Sequence, residues 1–333
     1  MNRAGFTADG TWYKGNLHCH TTQSDGKLSP EEVVTLYKEN KYNFLCLSDH
    51  EKYVDYHDFF NSEEFILLPG TEVSVNLVKE GAVVKAHHIH GIQGDSEMLS
   101  LCQNTYGNEE VFSPTVYEGN WDGEAAAQKK INEFMNKGLL VMYNHPIWSK
   151  VSQSEFIHLN NVWGIEIYNH SAEYDGGLGV DTRDWDVILG TGKQIYGVAT
   201  DDNHNFPGVP DCCGGWIVVK ADELTKEEIL LNLKKGNFYS STGPQIYDWG
   251  IKDGVAYVEC SPCMQINFVC GGAIGCGKAV TKGLEKCRTE EDRRLTGEEV
   301  TYGEYKLNGK ETYIRVECVD KNNRKAWSNA IFI

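Results

Sequence analysis

Residues 16–32 read NLHCHTTQSDGKLSPEE, which gathers His18, His20 and Asp25 into one short stretch. In an extended strand alternate side chains share a face, so His18 and His20 point the same way while Cys19 points back into the structure. Two imidazoles side by side suit a metal ion, although a lone pair of this kind is equally at home as ordinary hydrogen-bonded residues. A helix start follows. Ser29 is placed as N-cap, Pro30 in the first turn and Glu32 to close a capping box, with Val33, Val34 and Tyr37 spaced for one buried face.

The same strand-then-helix grammar recurs downstream. NFLCLSDHE (43–51) runs apolar and ends in Asp49 and His50; EFILLPGTEVSV (64–75) leads to Glu72, GLLVMYNHP (138–146) to His145, VWGIEIYNH (162–170) to Glu166 and Asn169, and QIYGVATDDNH (194–204) to Asp201, Asp202 and His204. Continuous apolar runs with polar residues at their ends read as strands buried on both faces. Helical patterns separate them, at GEAAAQKKINEFMNKG (123–138), DTRDWDVILG (181–190) and LTKEEILLNLKKG (224–236). Alternation over residues 1–245 implies an α/β fold with a mainly parallel sheet, closed or nearly closed into a barrel whose site lies at the strands' carboxyl ends. Beyond FYSSTGPQI (238–246) short strands and turn residues take over, so residues 246–333 are expected to form a small all-β, sandwich-like domain. The Lys-, Glu- and Arg-rich stretch 281–304 reads as a long loop.

The 333 residues carry 31 basic and 48 acidic side chains, a formal charge of −17. Such a field repels phosphate backbones and anionic membranes, so neither a nucleic acid nor a membrane is expected as partner. No segment approaches the ~20 apolar residues that span a bilayer, and a cytoplasmic location is expected. Eleven cysteines in a chain of this length read as reduced thiols. Six fall late, at Cys260, Cys263, Cys270, Cys276, Cys287 and Cys318. Cys260 and Cys263 form a CxxC, but Cys270 and Cys276 do not supply the second pair of a zinc ribbon, which leaves buried strand cysteines as the expectation.

Collected, the strand-end residues are His18, His20, Asp25, His50, Glu72, His88, His145, Asp202 and His204. So many imidazoles and carboxylates at one end of successive strands would be costly to bury unless they bind something, and mixed His, Asp and Glu ligation suits zinc, iron or manganese. His87 and His90 compete with His88, and Asp201 with Asp202. Read together, HxH at His18 and His20, SDG at Asp25, SDH at His50, GTEVS at Glu72, HIHG at His88, NHP at His145 and DNH at Asp202 and His204 resemble the PHP (polymerase and histidinol phosphatase) superfamily across roughly residues 15–245.

The resemblance implies a distorted (β/α)7 barrel binding two or three divalent ions, with a trinuclear centre in the metal-dependent phosphoesterase branch. It implies that His18, His20, Glu72 and Asp202 hold one ion, that Glu72 bridges to a second held also by His88 and His145, and that Asp25, His50 and His204 hold the third. Asp49 is expected to orient a histidine. The reaction implied is hydrolysis of a phosphomonoester or phosphodiester of a small nucleotide-like or sugar-phosphate metabolite by a metal-bridging hydroxide at Glu72. His204 or His50 could assist the leaving group, although as ligands they would be poor acids.

Residues 1–245 contain only Arg3 and Arg183 as arginines, so Lys150, Arg183 and Asn169 are the candidates for substrate binding. The aromatics Trp148, Tyr168 and Phe206 could line a pocket. The scarcity of phosphate-clamping arginine keeps a non-phosphate ester or carbamate hydrolase as an alternative. Histidinol-phosphate phosphatase is a second, made less apt by the appended β-domain, and a non-catalytic metal-binding module is a third.

Overall fold

The computed structural model describes residues 2–282 and 297–333; of the expected 281–304 loop, residues 283–296 lie outside the described residues, as does Cys287. Seven strands build the frame of the site: β1 (Thr11–Asn16), β2 (Phe44–Leu47), β3 (Ile66–Lys79), β4 (Ala82–Gln93), β5 (Leu139–Tyr143), β6 (Gly164–Asn169) and β7 (Tyr196–Thr200). They lie side by side in chain order, so each polar strand end is carried to the neighbourhood of the next.

β1, β2 and β3 run parallel to one another, as do β5, β6 and β7. The expectation of a mainly parallel sheet needs correction in two places, at β4 and at the outer edge of β1. β4 returns from β3 as a long hairpin and runs antiparallel to both β3 and β5. The turn between them is only Glu80 and Gly81, both at positive φ, which is why no crossover helix intervenes. His88 is therefore a mid-strand residue, opposite Ser74, rather than one at a strand's carboxyl end.

The arc does not close as a ladder. β8 (Trp216–Ala221) takes the free edge of β1, pairing antiparallel along Thr11–Gly15 where β7 would otherwise lie. β1 and β7 meet only past their carboxyl ends, through a single parallel bridge between Cys19 and Asn203 flanked by Asp202 N donating to His18 O and His20 N donating to Asn203 O, each 3.0 Å. That bridge draws the residues after β1 against those after β7, the two stretches richest in site residues.

Local sequence explains the helices. In α1 (Pro30–Glu39) Ser29 and Glu32 form the reciprocal capping box and Val33, Val34 and Tyr37 are buried. α2 (Gly123–Asn136) and α4 (Lys226–Lys235) are each followed by a glycine in the left-handed region, Gly138 at φ +82° and Gly236 at φ +74°. α3 (Thr182–Gly190) buries Trp185, Ile188 and Leu189 in the cluster that also takes Ile165, Ile167 and Ala199 from β6 and β7. No helix among the described residues is long and apolar enough to cross a membrane.

The C-terminal residues are all strand and turn among those described. β9 (Phe238–Ser241) follows α4 and pairs with β8, and the sheet path runs on from β9 through β15 (Lys325–Ser328) to β14 (Glu311–Val319) and β12 (Gln265–Gly272). A second sheet joins β10 (Ile246–Lys252), β11 (Val255–Cys263) and β13 (Val300–Lys306), with Arg3–Ala4 on its edge. Inward side chains of the two sheets share one apolar cluster, with Trp249, Ile251 and Val258 on one side and Ile266, Phe268 and Val316 on the other.

Candidate metal centre

His18 and His20 lie just past β1 with no solvent exposure, and their Nε2 atoms approach to 3.0 Å. Cys19 points the other way, into the cluster with Val33 and Leu45. Two imidazole nitrogens do not face one another at this distance without a proton or cation between them. Around them stand Glu72 Oε2, at 3.3 and 3.5 Å, and Asp202 Oδ1, at 3.2 and 2.9 Å. These ligand atoms from His18, His20, Glu72 and Asp202 all lie within 4.8 Å of one another.

The other oxygen of Glu72 serves a different set. Its Oε1 lies 3.0 Å from His88 Nδ1 and 3.3 Å from His145 Nε2. His50 Nδ1 lies 3.2 Å from Oε2. Nearer solvent, Asp25 is 3.4 Å from His204 Nε2 and 3.9 Å from His50 Nε2, and His20 joins these three as a possible ligand group. All nine residues singled out in the sequence are thus brought together, with Glu72 central.

Burial and charge fit a cation here. His20 Nδ1, Glu72 Oε2 and Asp202 Oδ1 are buried without a hydrogen-bond partner, an arrangement that costs about 1–3 kcal/mol per group if left so. Burial opposes charge on Glu72, yet His18, His88 and His50 hold its carboxyl well below the ordinary carboxylate range. Burial and the neighbouring His50 push His20 down to about 3, leaving a neutral ring with a lone pair to give. Burial also opposes the charging of His18, but Asp202, Glu72 and Glu166 outweigh it and raise that ring well above its usual value, so proton and metal compete for the same spot. No thiolate belongs to the set, and imidazole with carboxylate suits zinc, iron or manganese.

Outer residues hold these side chains in place. Glu166 Oε1 lies 2.6 Å from His18 Nδ1; with the imidazole neutral, as a ligand must be, that nitrogen carries the proton and Nε2 turns inward. Thr200 donates to the same oxygen, while His145 N and Asn169 Nδ2 donate to Glu166 Oε2. Asn144 Nδ2 donates to Glu72 Oε1 at 2.6 Å, and Ser149 Oγ lies 3.0 Å from His145 Nδ1. His145 and Asp202 have φ of +23° and +53°, strained values that cluster at functional sites.

Geometry separates the competing residues. His87 turns away to Tyr143 and stacks on Trp121, and His90 lies beneath His18 against Cys46 and Asn144. Asp201 faces the opposite side, accepting from the backbone of Cys213, Gly214 and Gly215 and from Tyr37 Oη. Among the described residues Asp49 orients no histidine; it accepts from Thr21 and Ser24 and so fixes the loop that carries Asp25.

A cleft of about 350 Å³ opens above the cluster, bounded by Trp148, Tyr174, Asp175 and Phe206. Lys150 and Arg183 are exposed and do not line it, and Asn169 is buried, its amide given to Glu166 and Asp202 and its carbonyl to Ala172 N. Tyr168 lies by Trp327 and His170 instead. No Lys or Arg is among the described lining residues. A cation that sequence reading passed over is Lys27, which does not line the cleft either but sets its ammonium 4.6 Å from the ring centroid of Phe206, a lining residue. Only its place two residues after Asp25 could have pointed to it.

Residues 16–147 match the model of the PHP domain. That stretch of the chain is similar to a PHP domain. A stretch of 97 residues is 36% identical to a 5'-3' exoribonuclease of Haemophilus influenzae, covering 27% of this chain and 34% of that protein, so the match spans about a third of the relative's length. Among solved structures, a two-domain protein of Bacteroides vulgatus containing a predicted PHP-like metal-dependent phosphoesterase aligns over 97% of this chain and 95% of its own at 12% identity and a TM-score of 0.46. An amidohydrolase of Chromobacterium violaceum with bound sulfate aligns over 58% of this chain and 88% of its own at 17% identity and a TM-score of 0.38. The PHP match includes seven of the nine clustered residues and ends before Asp202 and His204, which the Cys19–Asn203 bridge brings in.

A titration separates burial from metal effects next to this centre. Asp181, before α3, is buried with both carboxylate oxygens unpartnered, and burial and Asp184 push it up to about 8. A carboxyl whose folded pKa is raised favours the folded state at low pH, and that contribution is lost between the ordinary 3.8 and about 8. Asp181→Asn should remove a decline of up to about 1.4 kcal/mol per pH unit over that window. Urea unfolding of both chains across the window checks this, and a stability difference that does not change with pH would contradict it.

Proposed function

We propose that this chain is a metal-dependent phosphoric ester hydrolase acting on a phosphomonoester or phosphodiester of a small nucleotide-like or sugar-phosphate metabolite, with residues 1–245 as the catalytic unit and 246–333 as an appended β-domain. One observation carries the reading: nine imidazoles and carboxylates, Glu72 central among them, gather at the floor of an open cleft, with buried donor atoms left unpartnered. The similarity of residues 16–147 to a PHP domain supports it.

His18, His20, Glu72 and Asp202 would hold one ion, Glu72, His88 and His145 a second, and Asp25, His50 and His204 a third. Such ions, when bound, lower the pKa of water and neutralise phosphate charge. The protein's own part is positional. Glu166 fixes the face of His18, Asn144 fixes the rotamer of Glu72, and Trp148 and Phe206 offer aromatic faces to a base or sugar above the floor. Lys27 offers the cation that Lys150 and Arg183, away from the cleft, do not. As ligands, His50 and His204 would have no free proton for a leaving group, which favours substrates whose leaving oxygen needs little protonation.

A second reading comes from the likeness to the exoribonuclease, which favours the 5' end of a short RNA as the group hydrolysed. The charge of −17 weighs toward the smaller substrate.

The test is a panel assayed with manganese, iron and zinc: nucleotides, cyclic and bis-phosphorylated nucleotides, sugar phosphates, histidinol phosphate, a 5'-phosphorylated oligoribonucleotide and a carboxyl ester. Metal-dependent turnover of a phosphoester is expected, and turnover of the carboxyl ester alone would overturn the proposal. Glu166→Gln should weaken metal affinity about 10–100-fold. With the substrate found, Lys27→Met should raise KM roughly two- to fivefold with little change in kcat; an unchanged KM would remove Lys27 from the site.

A further inference from the structure

The CxxC of the β-domain does not act as a pair. In a regular strand residues three apart face opposite sides, so Cys260 and Cys263 should diverge. The ladder between β11 and β13 shifts register between Glu259 and Cys263, and burial along β11 shifts with it: Ala256, Val258 and Cys260 are inward, then Cys263. This irregularity turns both sulfurs to one side. Cys318, on β14 of the facing sheet, meets them there.

The three sulfurs lie within 4.8 Å of one another. All three are buried, at 2%, 0% and 0% exposure, and none is in a disulfide. Ile246, Val300, Ile266 and Ala326 are their ladder partners, so the surroundings are apolar. A cation held at ~2.3 Å by three sulfurs in a plane requires sulfur separations of about 4 Å. Among the described residues no fourth His, Cys, Asp or Glu joins the group, which suits an ion content with three soft donors.

We propose that Cys260, Cys263 and Cys318 form a second metal site, binding one thiophilic d10 cation of the Cu(I) or Zn(II) class and pinning the two sheets of the β-domain together. Each thiol that ligates gives its proton to solvent. The site is chemically distinct from the Glu72 centre, whose clustered ligands include no sulfur, so the two can be told apart spectroscopically.

The test uses the full chain, reduced and handled without oxygen, titrated with Cd(II), Zn(II) and Cu(I). With Cd(II) and Cu(I), ultraviolet sulfur-to-metal charge-transfer absorption is expected to rise and saturate at one ion per chain, to be lost in Cys318→Ser, and to persist in Cys270→Ser. X-ray absorption on the unmutated chain keeps the test independent of folding defects: an all-sulfur shell with Cu(I), or sulfur scatterers beside the nitrogen and oxygen shell with Zn(II), is expected, and the ion that binds at the lower concentration names the cation. Absence of charge transfer with either ion, a band that Cys318→Ser leaves unchanged, or a disulfide among the three in the reduced chain would overturn the proposal.

Discussion

A carboxylate cut off from water and ringed by imidazoles is the constraint on which the rest of this molecule turns. Glu72 has no solvent exposure, and five histidines reach it, with His88 and His145 on one oxygen and His18, His20 and His50 on the other. A side chain in that position is costly unless charge and hydrogen bonds are supplied around it. The surrounding fold supplies them from every side.

The backbone reaches that arrangement by means that differ along the chain. β1 and β7 bring their residues in as parallel strand ends joined by the Cys19–Asn203 bridge, whereas Glu72 and His88 come from the interior of a long antiparallel hairpin. The parallel bridge between His50 and Glu72 ties the loop after β2 to that hairpin. Glu166 then couples β6 to three neighbours, accepting from Thr200 and the His145 backbone and holding His18. Loss of any one strand would leave a buried polar group unpaired, so assembly of the centre and folding of the sheet are expected to be linked.

Much of this was legible because it rests on local rules. The alternation of strands fixed which way His18, Cys19 and His20 point, and the Ser29–Glu32 box marked the start of α1. What escaped depends on contacts distant in sequence. The hairpin of β3 and β4 looked like another parallel unit because its apolar run ends in polar residues like the rest. Glu166 and Asn169 sit at a strand end as substrate residues might, and only their burial reveals that they hold other side chains. Cys318 lies so far from the CxxC, and on another sheet, that no spacing rule connects them. His87 and His88 are separated by strand facing, His88 and His90 by their depth along one face of β4, and Asp201 and Asp202 by a strained φ; the last two depend on the folded backbone, which sequence does not display.

The central claim is that the cluster around Glu72 holds divalent ions. Crystals of the full chain grown with manganese, with anomalous diffraction recorded on both sides of the manganese edge, test it most directly. The account predicts anomalous peaks among His18, His20, Glu72 and Asp202, with further density toward His88 and His145 or toward Asp25, His50 and His204. A well-ordered site without an anomalous peak at saturating metal would contradict it.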